Sequence, residues 1–317
     1  MAKKTKVYFA TDLHGSSKCF RKFVNAATAY GVDVLVLGGD IAGKAIQTIV
    51  RGNDGHYRCS FVGTDYDVEG GPELEALEKL IGDHGYYPYR AEAGELDARR
   101  ADKSLDALFV SLMRSRLTEW LNLADERLRP TGKRLFFMLG NDDPKELRPL
   151  LDDAPWGVHD EGQVVLLDDD HEMISLGYSN ITPWNSHREM TEEGLAAAIR
   201  EMAGRLRWPE RAVVNVHVPP YGTGLDDAPV LDANLTIQTS VGQVKFAPVG
   251  STAVRDALIE IQPLLGLHGH IHESGGIRRL GRTIAINPGS DYSTGVLNGA
   301  IVTLEGDKVA THQLVRG

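Results

Sequence analysis

Continuous apolar runs alternate with amphipathic segments in the first part of the chain. Residues 6–10 and 34–37 are short apolar runs of the kind that form buried strands. Residues 16–30 between them carry apolar residues at helical spacing, with a serine cap at the start and Gly31 as the stop. Because this strand–helix–strand order needs a crossover connection, it predicts a right-handed parallel unit.

The same pattern continues in the second half of the chain. Further strands are predicted over 134–139, 173–177, 213–216, 261–267, 283–286, 300–304 and 309–314, and helices over 192–206 and 252–261. The last three strands are expected to close a second sheet, which gives an α/β fold. A long irregular loop is predicted over 221–250, because prolines stop the strand before it and glycines recur along it.

The pattern changes between residues 51 and 133. A two-stranded hairpin is predicted over 56–68, followed by helices over 72–81 and 95–128. We interpret 51–133 as a mostly helical insertion, either a lid or a dimer surface, in a main domain formed by 1–50 and 134–317. Aromatic residues cluster over 86–90, where core packing explains them at least as well as substrate stacking.

Composition narrows the functional classes. The chain has 317 residues, of which 42% are hydrophobic and 25% charged, as is typical of globular proteins. No apolar run approaches the roughly 20 residues that cross a bilayer, and the apolar stretch after the basic start is too short for a secretory signal. With only Cys19 and Cys59, a reducing cytoplasm is the expected compartment and no membrane partner is expected. The net charge of −10 argues against long duplex nucleic acid, but bound cations would still admit a small anionic substrate.

Polar residues that bind metals recur where predicted strands end. These residues are Asp12, His14, Asp40, Asn141, His217, His270 and His272. In parallel sheets, ligands bind beyond the carboxyl ends of the strands. The two-residue spacing of Asp12 and His14, and of His270 and His272, would aim each pair one way in extended backbone. His268 would face away and is expected in the core.

The seven donors define the chemistry of the predicted site. Oxygen and imidazole ligands without a thiolate suit manganese, iron, zinc or a similar divalent ion. Seven donors are too many for one ion, but they suit two ions bridged by a carboxylate at roughly 3.5–4 Å.

Residues 38–45 read G-x-x-x-x-G-K-A, which is close to the motif of a phosphate-binding nucleotide loop. A phosphate-cradling nucleotide loop needs Ser or Thr after the lysine to hold magnesium, and this chain has Ala45. A carboxylate, Asp40, also stands where a phosphate would lie. The nucleotide-loop interpretation is therefore disfavoured, while Lys44 is either a phosphate contact or a surface lysine.

The motifs together resemble the calcineurin-like metallophosphoesterase family. The matching blocks are Asp12-x-His14, Gly38-Gly39-Asp40, Gly140-Asn141-x-Asp143, His217 and Gly269-His270-x-His272, followed by Asn287-Pro288-Gly289-Ser290. The resemblance covers 5–50 and 134–305 and leaves the insertion out. It implies two sheets packed face to face, flanked by helices, with the metals at one edge between the sheets.

The resemblance also implies roles for the site residues. One metal would bind Asp12, His14 and His272, the other would bind Asn141, His217 and His270, and Asp40 would bridge them. The implied activity is hydrolysis of a small phosphomonoester, phosphodiester or nucleotide by a hydroxide held between two divalent ions. Asp143 would orient a metal ligand from outside. Asn141 is also a candidate substrate contact, as is Lys44 in one of the two alternatives given above for it.

One position departs from the family pattern. Members commonly have histidine after the Gly-Asn pair, and this chain has Asp142. An ionised carboxylate there would repel a phosphate, unless it is protonated or turned away. His187 is the candidate substitute for the missing imidazole. The rival interpretation is a metal-bearing scaffold with little activity, which would not need to retain Asn141 or the bridging Asp40.

Overall fold

A computed structural model describes residues 4–154, 156–232 and 234–317. The helices in these ranges are, in chain order, α1 (Ser17–Ala29), α2 (Pro72–Asp83), α3 (Glu95–Ala101), α4 (Leu105–Leu128), α5 (Arg148–Asp152), α6 (Glu192–Ala203) and α7 (Thr252–Ile261). The strands are β1 (Lys4–Ala10), β2 (Val34–Gly38), β3 (Ile46–Arg51), β4 (Tyr57–Phe61), β5 (Thr64–Val68), β6 (Tyr87–Ala91), β7 (Arg134–Met138), β8 (Val158–His159), β9 (Val164–Leu166), β10 (Glu172–Leu176), β11 (Ser179–Asn180), β12 (Glu189–Met190), β13 (Val213–Val216), β14 (Asp227–Pro229), β15 (Thr239–Ser240), β16 (Gln243–Val244), β17 (Phe246–Pro248), β18 (Leu265–Leu267), β19 (Gly276–Leu280), β20 (Thr283–Asn287), β21 (Asn298–Glu305) and β22 (Lys308–Arg316).

The first large sheet has the strand order β22-β21-β1-β2-β7-β8. Strands β1 and β2 are parallel, with Val7 opposite Val34, and α1 connects them as predicted. The expectation that 300–304 and 309–314 belong to the second sheet was wrong, because β21 pairs antiparallel with β1 and β22 pairs with β21. This pairing covers a side of β1 that would otherwise be an exposed edge.

The second large sheet has the order β19-β20-β18-β13-β10-β9. Strands β10, β13, β18 and β20 run parallel, and each flanking strand is antiparallel to its neighbour. The apolar faces of the two sheets share one core, in which residues such as Phe9 and Phe136 pack with Leu265 and Ile286. The predicted α/β fold with two facing sheets is confirmed.

Helices cover the outer faces of both sheets. Buried residues of α1 and α4 share a core with the outward side of the first sheet. Buried residues of α6 and α7 do the same with the second sheet. Helix α4 is long, with 24 residues, but it carries charged side chains throughout, and no helix in the described ranges has the length and apolarity to cross a membrane.

A small sheet lies between β2 and β7 in the chain. Its order is β5-β4-β3-β6, and β3 begins at Ile46, before the predicted boundary at residue 51. The predicted hairpin corresponds to β4 and β5, and the helix predicted over 95–128 is split into α3 and α4 at 102–104. Strand β6 was not predicted, because Pro88 interrupts its pattern. The predicted irregular loop 221–250 contains two short antiparallel pairs, β14–β17 and β15–β16.

Helix α4, in the region 51–133, is part of the main core, while the small sheet and α2 share a cluster of their own. The Trp120 ring stacks on Phe20 of α1 with centroids 4.3 Å apart. The Tyr87 side chain is buried, and its hydroxyl oxygen accepts a hydrogen bond from the Gly43 N–H. Core packing, rather than substrate stacking, therefore accounts for Tyr87 in the aromatic cluster.

We expect Trp120→Ala to lower the free energy of unfolding by about 3–5 kcal/mol, the usual cost of removing a buried large aromatic side chain. Urea denaturation followed by circular dichroism measures this change. The matched control is Glu119→Ala, which removes an exposed side chain from the same helix. Equal midpoints for the two variants would show that α4 does not pack on the main core.

Candidate metal centre

The seven predicted donors come together where the two sheets meet. Asp12 follows β1, Asp40 follows β2, Asn141 follows β7, His217 follows β13, and His270 with His272 follow β18. These strands run parallel within their sheets, so their carboxyl ends lie at the same edge. The donors come from residues 12 to 272 of the chain, so only the folded chain assembles them.

One group of donors consists of Asp12, His14 and His272. One ligand atom from each lies within 4.8 Å of the others. The Nε2 atoms of His14 and His272 face each other at 3.1 Å, and Asp12 Oδ1 lies 3.4 Å from His272 Nε2. This is the set that the resemblance assigned to one metal.

A second group consists of Asp40, His217 and His270, again with ligand atoms within 4.8 Å of one another. Asp40 Oδ2 lies 3.3 Å from His217 Nε2, and Asn141 Oδ1 lies 2.7 Å from His270 Nδ1. The same Asp40 oxygen is 3.6 Å from His14 Nε2, in the first group. Asp40 thus stands between the two groups, as a bridging carboxylate must.

The backbone delivers these side chains through left-handed turns. The predicted reason, alternation along an extended strand, was wrong. Of the ten described non-glycine residues with positive φ, four are site residues, and these are Asp12 (55°), His14 (40°), Asp40 (50°) and His270 (67°). Such conformations cost of order 1–3 kcal/mol each and persist only where the surroundings impose them. Hydrogen bonds between neighbouring loops do so here, for example from Asp12 N–H to the Gly39 carbonyl at 3.0 Å.

Two glycines permit the close approach of the loops. A Cβ atom on Gly140 would lie 2.1 Å from Asp40 Oδ1, and one on Gly269 would lie 2.4 Å from Asp12 Oδ2. Both contacts are far shorter than van der Waals distance. The glycines of the Gly-Asn and Gly-His motifs therefore make room for carboxylates from other loops.

The residues present fit divalent cations. The Nδ1 atom of His217 donates a hydrogen bond to the Gly38 carbonyl at 2.8 Å, so in the neutral ring it is Nε2 that has a lone pair available for a metal. That Nε2 atom is buried and has no hydrogen-bond partner. A cation stabilises a buried acceptor that lacks a hydrogen-bond partner, and carboxylate, amide and imidazole groups are the ligands that such ions take.

Burial and charge shift the pKa values of the site in opposite directions. Burial is the main cause that lowers the pKa of His14 to about 3 and that of His270 to about 4, against the opposing charges of Asp40 and Asp12, so both rings are neutral and able to ligate. Burial would also lower the pKa of His217, but the carboxylates of Asp40 and Asp12 raise it to about 10. Without a metal, His217 is thus the cation that offsets the buried carboxylates. A bound metal would take over that charge.

Asp143 connects two of the ligand-bearing loops. Its carboxylate accepts hydrogen bonds from the backbone N–H groups of Ile41, Ala42 and Gly140, at 2.8–3.0 Å. Burial, and then the charge of Asp40, raise its pKa to about 7. This position next to Asp40 suits the predicted orienting role, which stays a prediction.

Lys44 and Asp142 form an ion pair beside the second group. Lys44 Nζ lies 2.6 Å from Asp142 Oδ2, and the Asp142 N–H donates to Asp40 Oδ1 at 2.9 Å. Burial and the Asp40 charge raise the pKa of Asp142, while Lys44 opposes that shift. The ammonium therefore offsets the carboxylate charge that was expected to repel a phosphate.

His187 does not join the site. Its side chain is exposed, and it is not among the described residues that line the cavity beside the metal centre. Its neighbours contribute instead, since Ser186 Oγ accepts a hydrogen bond from Asn141 Nδ2 at 2.8 Å and the Arg188 N–H donates to the Asn141 carbonyl at 3.1 Å. The prediction that His187 replaces the missing imidazole is not supported by this placement.

Sequence reasoning missed Arg188. Its buried guanidinium donates to the Gly140 carbonyl at 3.0 Å, pairs with Glu161 and lies 4.4 Å from the centre of the Tyr178 ring. Arg188 thus holds the loop that carries Asn141. No sequence pattern separates a buried arginine of this kind from the many exposed ones.

His268 and the Asn-Pro-Gly-Ser segment have supporting roles. His268 is buried, and its Nδ1 lies 2.9 Å from the Val216 carbonyl, so the prediction of a core histidine is confirmed. The Ser290 hydroxyl donates to the Asp12 carbonyl at 2.7 Å, and Asn287 Nδ2 donates to the Ile271 carbonyl at 2.9 Å. The segment therefore ties together the loops that carry Asp12 and His272.

Comparisons with known proteins support the fold more than the activity. No protein-family model matches the chain. The chain is 30% identical over 117 residues to the uncharacterized protein MJ1162 of Methanocaldococcus jannaschii, a match over 36% of this chain and 46% of that relative. The chain thus spans less than half the length of that relative.

Solved structures resemble this fold over nearly the whole chain. The protein TT1561 of Thermus thermophilus matches 99% of both chains with a TM-score of 0.52 and 11% identity, which shows a shared fold alone. A dimetal phosphatase from Danio rerio matches 98% of each chain at 9% identity, but its TM-score of 0.43 is too low to carry an argument. The activity must therefore be argued from the site itself.

We expect metal-free protein dialysed against Mn²⁺ to bind about two ions per chain, because the donors form two groups with a shared carboxylate. Asp40→Asn should lose at least one ion, since the amide cannot replace a bridging anion. Inductively coupled plasma mass spectrometry measures the stoichiometry. Asp67→Asn, the same change at an exposed position on β5, is the control. An unchanged metal content in Asp40→Asn would reject the bridge.

We expect Arg188→Ala to lower the free energy of unfolding by about 3–5 kcal/mol, because it removes the guanidinium that pairs with the buried Glu161 and leaves His159 as its nearest cationic partner. The double variant Arg188→Ala/Glu161→Gln should recover part of that loss. Chemical denaturation of the metal-free variants measures both effects without a contribution from metal binding. No recovery in the double variant would show that lost packing, rather than the unpaired charge, dominates.

Proposed function

We propose that this protein is a metal-dependent hydrolase of small phosphoesters. The observation that supports the proposal is the convergence of seven oxygen and imidazole donors in two groups with Asp40 between them. Two divalent cations held there would supply water activated at neutral pH and would neutralise the charge on the phosphoryl oxygens.

Residues of this chain would bind and orient the phosphoester. The Asn141 amide nitrogen donates to Ser186 Oγ and Asp142 Oδ1, which turns the amide oxygen towards His270. Lys44, at the rim of the cavity, is 46% exposed at its side chain and would meet a phosphoryl oxygen of the substrate. Asp142 would hold the Lys44 ammonium in place. We assign this role to Asp142, which stands where members of the resembling family commonly have histidine.

The substrate is a small molecule in this proposal. The cavity beside the site has a volume of about 660 Å³, within the roughly 300–1,000 Å³ of small-molecule sites. The net charge of −10 disfavours long duplex nucleic acid. Both phosphomonoesters and phosphodiesters remain candidates, as do manganese, iron and zinc as the native ions.

A scaffold that only binds metal is the rival function. Hydrogen bonds connect the loops that carry Asp40 and Asn141. The Asp142 N–H donates to Asp40, and the N–H groups of Gly140 and Ile41 donate to Asp143. A scaffold does not require this arrangement around an open cavity. Turnover assays with several divalent ions separate the two functions.

We expect the protein loaded with Mn²⁺ to hydrolyse bis(p-nitrophenyl) phosphate. Asp40→Asn and His217→Ala should each reduce turnover by more than about 100-fold. Loss of a residue that hydrogen-bonds to a metal ligand already costs about 10–100-fold, and loss of the ligand itself should cost more. Release of p-nitrophenolate measures the rate, and Asp67→Asn serves as the control. Turnover that stays at the control level in either site variant would reject the site as described.

We expect Lys44→Ala to lower kcat/KM by roughly 10–100-fold, the usual worth of a hydrogen bond to a charged group. The loss has two parts, since the phosphate loses a cation and Asp142 loses its countercharge. Lys44→Ala/Asp142→Asn should therefore regain part of the rate. Lys145→Ala, an exposed lysine nearby in the chain, is the control. If the double variant is no faster than Lys44→Ala, the carboxylate does not repel the substrate.

A further inference from the structure

The cavity at the metal centre has one polar end and one apolar end. The polar end is formed by Asp40, Lys44, Asn141, Asp142, His270 and His272. The far end is formed mostly by branched aliphatic side chains and one indole, from Ile181, Trp184, Val230, Leu231, Leu235, Ile237 and Val249. We call these seven side chains the apolar wall.

Several side chains of the apolar wall face solvent. Ile181 is 62% exposed, Trp184 is 61% exposed and Ile237 is 51% exposed. Contiguous apolar surface of this kind is uncommon on monomeric proteins and marks places where another apolar group binds. Its continuity with the cavity indicates that this group enters together with the molecule that reaches the metal centre.

Hydrogen bonds hold one part of the wall relative to the metal centre. The loop at 181–186 is fastened to Glu189, which accepts hydrogen bonds from the N–H groups of Thr182 and Ser186. Ser186 in turn accepts the hydrogen bond from the amide of Asn141, a predicted metal ligand. The side chains of Ile181 and Trp184 are therefore positioned by the same network that positions the site.

The rest of the wall comes from an arm formed by residues 226–232 and 234–250. Its backbone is paired, with Val230 N–H donating to the Lys245 carbonyl and Gln238 N–H to the Val230 carbonyl, both at 2.8 Å. An isolated bridge joins Leu231 to Ile237, so both side chains stay at the cavity. The arm thus presents its aliphatic residues to the cavity from a hydrogen-bonded backbone.

The composition of the wall selects among phosphoesters. Thr182 and Glu273 are the polar side chains among the described lining residues away from the metal end, so few groups are present to read the edges of a nucleobase. Lys44 is the one lysine or arginine among the described lining residues, and the proposed function assigns it to a single phosphoryl group, so the further phosphates of a polyphosphate would lack a cationic side chain. Branched aliphatic side chains instead match an alkyl chain, which gains affinity with each methylene removed from water.

We propose that the substrate is an alkyl phosphoester, whose chain packs on the apolar wall while its phosphoryl group lies at the metal end. Hydrolysis of this substrate rests on the proposed function, whereas binding of its alkyl chain to the apolar wall does not. The reaction is attack of water on phosphorus, which breaks the bond to the leaving oxygen and releases an alcohol and the phosphate product.

The kinetic test uses p-nitrophenyl phosphodiesters that carry a methyl, butyl or octyl group. A methylene that loses contact with water gains about fourfold in affinity, so kcat/KM should rise by tenfold or more from methyl to octyl. Ile237→Ser and Trp184→Ala should each remove most of that increase. Ile259→Ser is the matched control, because Ile259 is 55% exposed on α7 and is not a lining residue. An increase that is absent in the wild type, or that persists in both wall variants, overturns the proposal.

The binding test does not depend on activity. Isothermal titration calorimetry of octylphosphonate and methylphosphonate, with and without Mn²⁺, should show at least tenfold tighter binding of the octyl compound by wild type and Ile259→Ser. Octylphosphonate binding without hydrolysis of any substrate would refute the proposed function and leave the apolar wall supported. Equal affinity for both phosphonates, or tighter binding of a nucleoside monophosphate than of octylphosphonate, would overturn the proposal.

The apolar wall could instead bind a second copy of the chain. Sedimentation velocity distinguishes this self-association from binding of the substrate's alkyl chain. The proposal expects the same oligomeric state in the wild type and in Ile237→Ser. A wild-type dimer that dissociates in Ile237→Ser and keeps its alkyl preference would assign the wall to a second copy of the chain and overturn the proposal.

Discussion

The burial of two carboxylates at the junction of the two sheets is the constraint on which the rest of the structure depends. Asp12 and Asp40 are almost fully buried, with 1% and 2% exposure. Buried charges are costly unless they are paired. Here imidazoles provide the pairing, since His272 and His217 hold the pKa of Asp12 below its usual range and His217 does the same for Asp40, although burial acts in the opposite direction. The same imidazoles and carboxylates are groups that could hold metal ions.

The two-sheet architecture explains how such a centre can form. Each sheet contributes loops at the carboxyl ends of its parallel strands, and the facing apolar surfaces bring those ends together. The loops then turn through left-handed conformations at Asp12, His14, Asp40 and His270. Glycines at 140 and 269 remove the Cβ atoms that would prevent the loops from meeting. Sheet packing therefore stabilises the local backbone strain that the donors require.

Much of this arrangement could be predicted from sequence because short apolar strands end in recognisable motifs. The strand at 34–37 and the residues that follow it identified Asp40 as a strand-end donor, and the structure places it between the two groups. The left-handed turns could not be predicted, because residue spacing reports which side chains are near one another in sequence but not the φ angle that directs them. The spacing of His270 and His272 thus led to residues that the structure brings to the candidate site, but for the wrong geometric reason.

Other features were missed because they depend on tertiary contacts. Arg188 is a site-supporting residue only because Glu161 and the Gly140 carbonyl meet it in the fold. Strand β6 contains Pro88 and is stabilised by its parallel neighbour β3 rather than by its own pattern. The pairing of Lys44 with Asp142 joins residues that are far apart in the chain, so the sequence left Lys44 open between a phosphate contact and a surface position.

We propose that two cations lie side by side in this centre and share Asp40. Electron paramagnetic resonance of the Mn²⁺-loaded protein tests this arrangement, because two Mn²⁺ ions at roughly 3.5–4 Å and bridged by a carboxylate are magnetically coupled. We expect the multiline spectrum of a coupled manganese pair in the wild type. A six-line spectrum of isolated Mn²⁺ at full metal loading would show that the ions do not share Asp40.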